Sequence, residues 1–218
     1  RSLYRMLTIG FPISFQMVLE SAAFILTSIL ALSFGAEASG AMQVSFSIAN
    51  VAWMITVAIG SASTIVVAHA YGAKQRGELR HIIDATYHLG LIWAFIMAVV
   101  FVTLRTPIAE IFTDNASIVA LTSELMLLIA IYQLSDAIQG LSISMMRGLQ
   151  DVKVIMPIVT CSYLVLNIPI GILLAYHFDM GCHGLVIGLI MGLSSAAILT
   201  YLRLRRSMRL FEAGKLNA

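Results

Sequence analysis

Residues 11–26 read FPISFQMVLESAAFIL and residues 128–141 read LIAIYQLSDAIQGL, two apolar runs that each carry an acid, Glu20 and Asp136. An ionisable side chain inside a run long enough to cross a bilayer is costly and usually faces a cavity or a partner. With a helical rise of about 1.5 Å per residue, Glu20 lies about 16 Å in from Ile9, and Asp136 about 15 Å in from Met146. If Ile9 and Met146 mark the same side of the membrane, the two acids share a depth. Two acids at one depth make one site.

The rest of the chain supports a membrane setting. Of 218 residues, 60% are hydrophobic and 11% charged, with a mean hydropathy of +0.94, far more apolar surface than a soluble domain of this length needs. Six apolar stretches stand out, roughly 7–33, 42–70, 82–104, 117–146, 154–176 and 184–203. Each can span about 30 Å of hydrocarbon as an α-helix. Strands are not expected, because the stretches lack clean period-2 alternation and lipid forbids open sheet edges. The expected fold class is therefore all-α, an integral membrane bundle forming a single six-helix domain over 1–218. Pro12 and Pro157 fall near helix starts, where a missing N–H costs little, whereas Pro169 is expected to kink the fifth helix and free a carbonyl near Tyr163 and Asn167.

Charge sets the orientation. Arg1, Arg5, Lys74, Arg76, Arg80, Arg147, Lys153, Arg203, Arg205, Arg206, Arg209 and Lys215 fall on one side of six crossings, leaving Arg105 alone on the other. The positive-inside rule then places both termini in the cytoplasm. Glu37, Glu110, Asp114 and Asp179 mark the opposite side. The loops are short, and 72–81 and 105–116 could hold brief amphipathic helices at the interface. A formal net charge of +2 gives no reason to expect nucleic acid as a partner.

Around the acids the spacing is helical. Tyr132, Asp136 and Gln139 line one face of the fourth span, with Gln133 flanking and Gly140 leaving room; Gln16 and Glu20 repeat the i, i+4 pattern on the first. Two facing carboxylates repel, so such a site holds a proton or a cation, and H⁺, Na⁺ or an organic cation each neutralises the same charge. Against this stands a polar clasp in which the acids merely bond two helices together. Thr160, Tyr163 and Asn167 form a polar stripe on the fifth span, and Ser47, Asn50 and Met54 one on the second. These are possible cavity lining, or simply interhelical hydrogen bonding. Gly184, Gly188, Gly192 and Ala196 recur every four residues on the last span, a surface for close packing.

Other chemistry is weakly signalled. Cys161 and Cys182 are too far apart along the chain's helices to bridge, and both are expected as free thiols. His177, Asp179, Cys182 and His183 crowd one turn without fitting a ligand motif. His69, His81 and His88 read as interfacial. HExxH, GxSxG and P-loop patterns are lacking, so an enzyme is not expected, and neither is any metal beyond a possible Na⁺ at Glu20 and Asp136.

The order of L-x-x-G-F-P-I (7–13) with Glu20 downstream, YGAKQRGELR (71–80), IAEIFTDN (108–115), YQLSDAIQG (132–140) and MRGLQD (146–151) resembles the C-terminal lobe, helices seven to twelve, of a multidrug and toxic compound extrusion (MATE) antiporter. The resemblance covers essentially the whole chain. It implies one lobe of a twelve-helix transporter whose halves are related by a pseudo-twofold axis, so the expected partner is an N-terminal lobe or a second chain. Because the chain opens on Arg1, a fragment is expected over a half-length protein that dimerises. Glu20 matches the family's seventh-helix acid, and Tyr132 and Asp136 the tyrosine and acid of its tenth helix. The resemblance implies that these form a cation site, with Na⁺ or H⁺ as coupling ion and no cofactor. It further implies export of cationic amphipathic small molecules across a bacterial-type inner (plasma) membrane. Two alternatives remain at this point. A lipid-linked sugar flippase of the same superfamily would favour basic residues in the cavity, where this sequence places no Arg or Lys inside a span. A non-transporting membrane scaffold would use Glu20 and Asp136 for packing alone.

Overall fold

The computed structural model describes residues 2–213. Arg1 and Lys215 lie outside the described residues, as do the side chains of residues 2–9 (Arg5 among them), Pro12 and Arg76. The elements are α1 (Ser2–Leu32), α2 (Ala36–Gly72), α3 (Arg76–Thr103), α4 (Arg105–Phe112), α5 (Ala116–Gly148), α6 (Ile155–His177) and α7 (Gly181–Glu212). All but α4 are long and apolar enough to cross a membrane, and the described residues contain no strand. The chain is an all-helical, multi-pass membrane protein.

Several boundaries depart from the sequence reading. α1 begins at Ser2, so position 12 falls inside the helix rather than near its start. α2 begins at Ala36, six residues before the expected 42, because Gly35 at φ +109° makes the turn out of α1 in a conformation that L side chains rarely adopt. The brief amphipathic helix expected within 105–116 is present as α4. By contrast, 72–81 holds no helix of its own: a turn at Ala73–Gln75 joins α2 to α3.

α5 lies at the centre, packed against α2, α3 and α7. It buries Leu125, Met126, Ile129, Leu141, Met145 and Met146 completely. Asn115 starts this helix by accepting from the backbone N–H groups of Ser117 (3.0 Å) and Ile118 (3.5 Å). α2 and α5 run parallel and approach closely where both are small. A Cβ on Gly60 would meet Ser144, and one on Gly140 would meet Trp53. Polar bridges tie neighbouring helices: Ser63 with Thr86 (2.9 Å), Tyr87 with Ser142 (2.6 Å), Ser135 with Ser194 (2.8 Å), and the Trp93 indole N–H donating to the Ala52 carbonyl (3.1 Å). The hydroxyls of Ser45, Ser47, Thr56, Ser63 and Thr64 on α2 donate back to carbonyls four residues earlier.

α6 is not α-helical throughout. Two π-helical segments, Cys161–Asn167 and Leu173–His177, bracket a short α-helical piece that holds Pro169 at its start. The Tyr163 carbonyl, expected to be freed, accepts the Ile168 N–H five residues on. π turns absorb the disturbance that a proline imposes on an α-helix. α7 accommodates the widened turns with its glycines, which face the α6 backbone directly.

At the basic end of the bundle Asp151 joins the α5–α6 turn to α7. It accepts two hydrogen bonds from Arg203 (Nε 2.8 Å, Nη2 3.1 Å) and one from Ser207 (2.6 Å). Burial pushes its carboxyl up, but these bonds and the Arg203 charge outweigh that and hold it below the ordinary carboxylate range. The folded state thus binds this proton more weakly than the unfolded chain. The stabilisation is complete above the unfolded value of about 4 and is lost as pH falls through the lower folded value. Asp151→Ala is expected to cost about 1–2 kcal/mol at neutral pH. Thermal unfolding in detergent checks this, and the gap from wild type should close as the solution is acidified; an unchanged gap would refute the ion-pair account.

Candidate functional site

α1, α2 and α5 enclose a cavity of about 510 Å³. α1 contributes Gln16, Glu20 and Phe24 at i, i+4, i+8, one stripe along a helical face. α5 contributes Tyr132, Asp136, Gln139, Ile143 and Arg147, again on one face, because three- and four-residue steps keep returning to it. α2 supplies Asn50 and Trp53, and α6 supplies Tyr163.

Glu20 sits in a directed network. Its Oε1 accepts from the side-chain amides of Gln16 (3.2 Å) and Gln139 (3.1 Å). Gln139 in turn accepts from the Tyr163 hydroxyl (3.3 Å), and Gln16 accepts from Arg147 Nη2 (3.3 Å). Glu20 is therefore level with Gln139, and Asp136 lies three residues, about 4.5 Å, further along the same face of α5. Phe24 meets Tyr132 edge-on (6.3 Å between centroids) and Phe46 likewise (5.4 Å), which gives the acids an aromatic wall on the side away from Arg147.

The structure brings together Glu20, Tyr132, Asp136, Gln16, Asn50, Gln139 and Tyr163 at this cavity. Two of the residues expected as lining do not reach it. Gln133 is wholly buried, and neither amide atom has a hydrogen-bond partner among the described residues, since one residue from Tyr132 is a turn of about 100° away from the cavity wall. Asn167 is turned by the π-helical segment toward α7, where its Cβ occupies the space beside Gly192. Ser47, spent on the Gln43 carbonyl (2.9 Å), and the exposed Met54 also lie off the cavity.

Charge counting places Arg147 in a loop, yet it occupies the last turn of α5 and reaches the cavity. That corrects the expectation that no basic group enters the site. The signal was present: eleven residues after Asp136 is three turns, within about 20° of the same face. Phe24, four residues after Glu20, was legible by the same rule. At the far end of the bundle, His183 pairs with Glu124 (3.2 Å), and the described residues contain no group of three or more possible metal ligands.

A family model described as MatE matches residues 12–173. A probable multidrug resistance protein NorM of Xanthomonas campestris is 33% identical over 214 residues, covering 98% of this chain and 47% of that protein. The multidrug resistance protein MdtK of Edwardsiella ictaluri is 32% identical over 208 residues, with 94% and 46% covered. The crystal structure of the Vibrio cholerae MATE transporter VcmN in its bent form superposes with a TM-score of 0.88 at 21% identity, covering 97% of this chain and 48% of that one. The chain thus spans about half the length of the curated relatives it matches. With three quarters of its length under the family model and its fold shared with solved members, the chain belongs to the MatE family.

Proposed function

We propose that this chain is one lobe, comprising residues 1–218, of a secondary antiporter that exports organic cations or drugs in exchange for Na⁺ or H⁺. Glu20, Tyr132 and Asp136 would form its cation site. The observation that carries this reading is the opening of Glu20 and Asp136, from two different helices, onto one cavity with an aromatic wall. An ion or a proton entering there neutralises charge that a cationic amphipathic molecule would otherwise neutralise, so the two occupants exclude one another. That exclusion is the elementary requirement of exchange.

Coverage of half the relatives' length supports a second lobe, and the charge pattern supports the orientation. A second six-helix unit, on the same polypeptide or another, would complete the transporter. Both termini would face the cytoplasm of a bacterial-type inner membrane, and no cofactor takes part. The flippase alternative is not favoured: relatives are named for multidrug resistance, and the cavity keeps two acids against one arginine.

The test is transport in proteoliposomes that hold this chain with a second lobe. An imposed Na⁺ or H⁺ gradient should drive ethidium across the membrane several-fold faster than no gradient. Equal rates with and without both gradients would sink the ion-coupled reading.

A further inference from the structure

Arg147 is chemically out of place in a site that selects cations. Its guanidinium has only donors, so the Gln16 amide oxygen must face it and the Gln16 N–H₂ must face Glu20. Gln139 is oriented the same way, its oxygen taken by the Tyr163 hydroxyl and its N–H₂ given to Glu20. Both amides therefore converge on one oxygen of Glu20, and the other oxygen is left to the cavity.

The arginine itself is not committed to any acid. The carboxylate nearest in sequence, Asp151, is taken by Arg203 at 2.8 Å, and no described acid lies within ion-pair distance of Arg147. Its Nε is buried without a hydrogen-bond partner among the described residues. A half-buried cation with no ion-pair partner among the described residues, lining the same cavity as Glu20 and Asp136 and joined to Glu20 through a single amide, has its charge directed at the site.

We propose that Arg147 is a tethered counter-ion that competes, through Gln16, with free cations for the charge of Glu20. This rests on the reading of the cavity as a cation site and adds what sets its affinity. Two unopposed carboxylates in a confined space would hold a cation tightly and release it slowly. A positive charge tethered to Glu20 through Gln16 offsets part of the charge that an incoming cation would otherwise use, and rebalances Glu20 once the site empties. Arg147 is accordingly a positioning residue for exchange and determines how readily the occupant leaves.

Binding of ²²Na⁺ and of tetraphenylphosphonium to the purified full chain tests this. Arg147→Gln and Arg147→Met should bind at least one of the two cations about tenfold more tightly, with slower dissociation. Arg147→Lys, which keeps the charge, should stay within about threefold of wild type. In a Glu20→Gln background, Arg147→Gln should have no effect. The proposal is overturned if the neutral variants, monodisperse by size exclusion, bind both cations no better than wild type. It is also overturned if the gain survives loss of Glu20, or if both neutral variants fail to fold while the lysine variant folds, which would make the role structural. Should wild type bind neither cation, or Glu20→Gln and Asp136→Asn leave binding unchanged, the cavity reading itself falls and this inference with it.

Discussion

Asp136→Asn is expected to bring ion-coupled efflux down to the background of vesicles without protein, while the chain still inserts and remains monodisperse. The reason lies in what the substitution keeps and removes. Asparagine fills the same volume next to Tyr132 and can still hydrogen-bond, but it cannot be neutralised by an arriving cation. A carboxylate about 4 Å from a bound cation contributes about 4 kcal/mol at an effective dielectric of 20, so its loss should weaken cation binding by about 100-fold or more. Efflux of ethidium and ²²Na⁺ binding, measured on the same preparation, check both parts. The scaffold alternative predicts the opposite pattern, with stability lowered or nothing changed. An Asp136→Asn chain that still exchanges at wild-type rate would remove Asp136 from the site.

The second large effect concerns α7. A side chain at Gly188 should leave little folded protein: Gly188→Leu is expected to abolish accumulation in the membrane, and Gly188→Ala to lower stability by about 1–3 kcal/mol. A Cβ at this position would run into the backbone of Gly171 and lie 2.9 Å from the Asn167 carbonyl oxygen. Backbone atoms cannot swing aside as a flexible side-chain tip can. The neighbouring glycines show the same contact with α6, since a Cβ on Gly184 would meet the Ala175 nitrogen at 2.6 Å, and one on Gly192 the Asn167 Cβ at 2.5 Å. Thermal unfolding of the alanine variant and fluorescence of a tagged leucine variant provide the measurements. Normal accumulation of Gly188→Leu would show that α6 and α7 do not pack as described.

The six spans were legible because lipid demands long apolar helices, and such runs are visible in any reading of the chain. Much of the site's geometry was legible too. Gln16 with Glu20, and Tyr132 with Asp136 and Gln139, follow from steps of three and four along straight helices. Where the helix is not α-helical, the rule fails. Thr160, Tyr163 and Asn167 share a stripe at 3.6 residues per turn, but the π turn from Cys161 to Asn167 widens the spiral, so Tyr163 reaches the cavity and Asn167 turns to α7. Nothing local in CSYLVLN announces that change of pitch. Arg147 was misplaced for a different reason. Charge counting assigns every basic residue to a loop, whereas a long arginine stem lets a residue in the final turn carry its charge inward.

The hydroxyls of α2 bear on how this helix partitions into a membrane. Transfer scales treat serine and threonine as polar groups that must leave water, yet Ser45, Ser47, Thr56, Ser63 and Thr64 carry their hydrogens on their own backbone carbonyls. Ser45, Thr56 and Ser63 are buried in the bundle, and Ser47, the exposed one of the five, presents little more than an alanine with a hydrogen-bonded oxygen. Composition overstates the insertion cost of α2, and the helix can expose serines outward without drawing water into the bilayer. The Thr64 hydroxyl also lies 2.8 Å from the Ser144 carbonyl of α5, a second acceptor at the helix contact that borders the cavity.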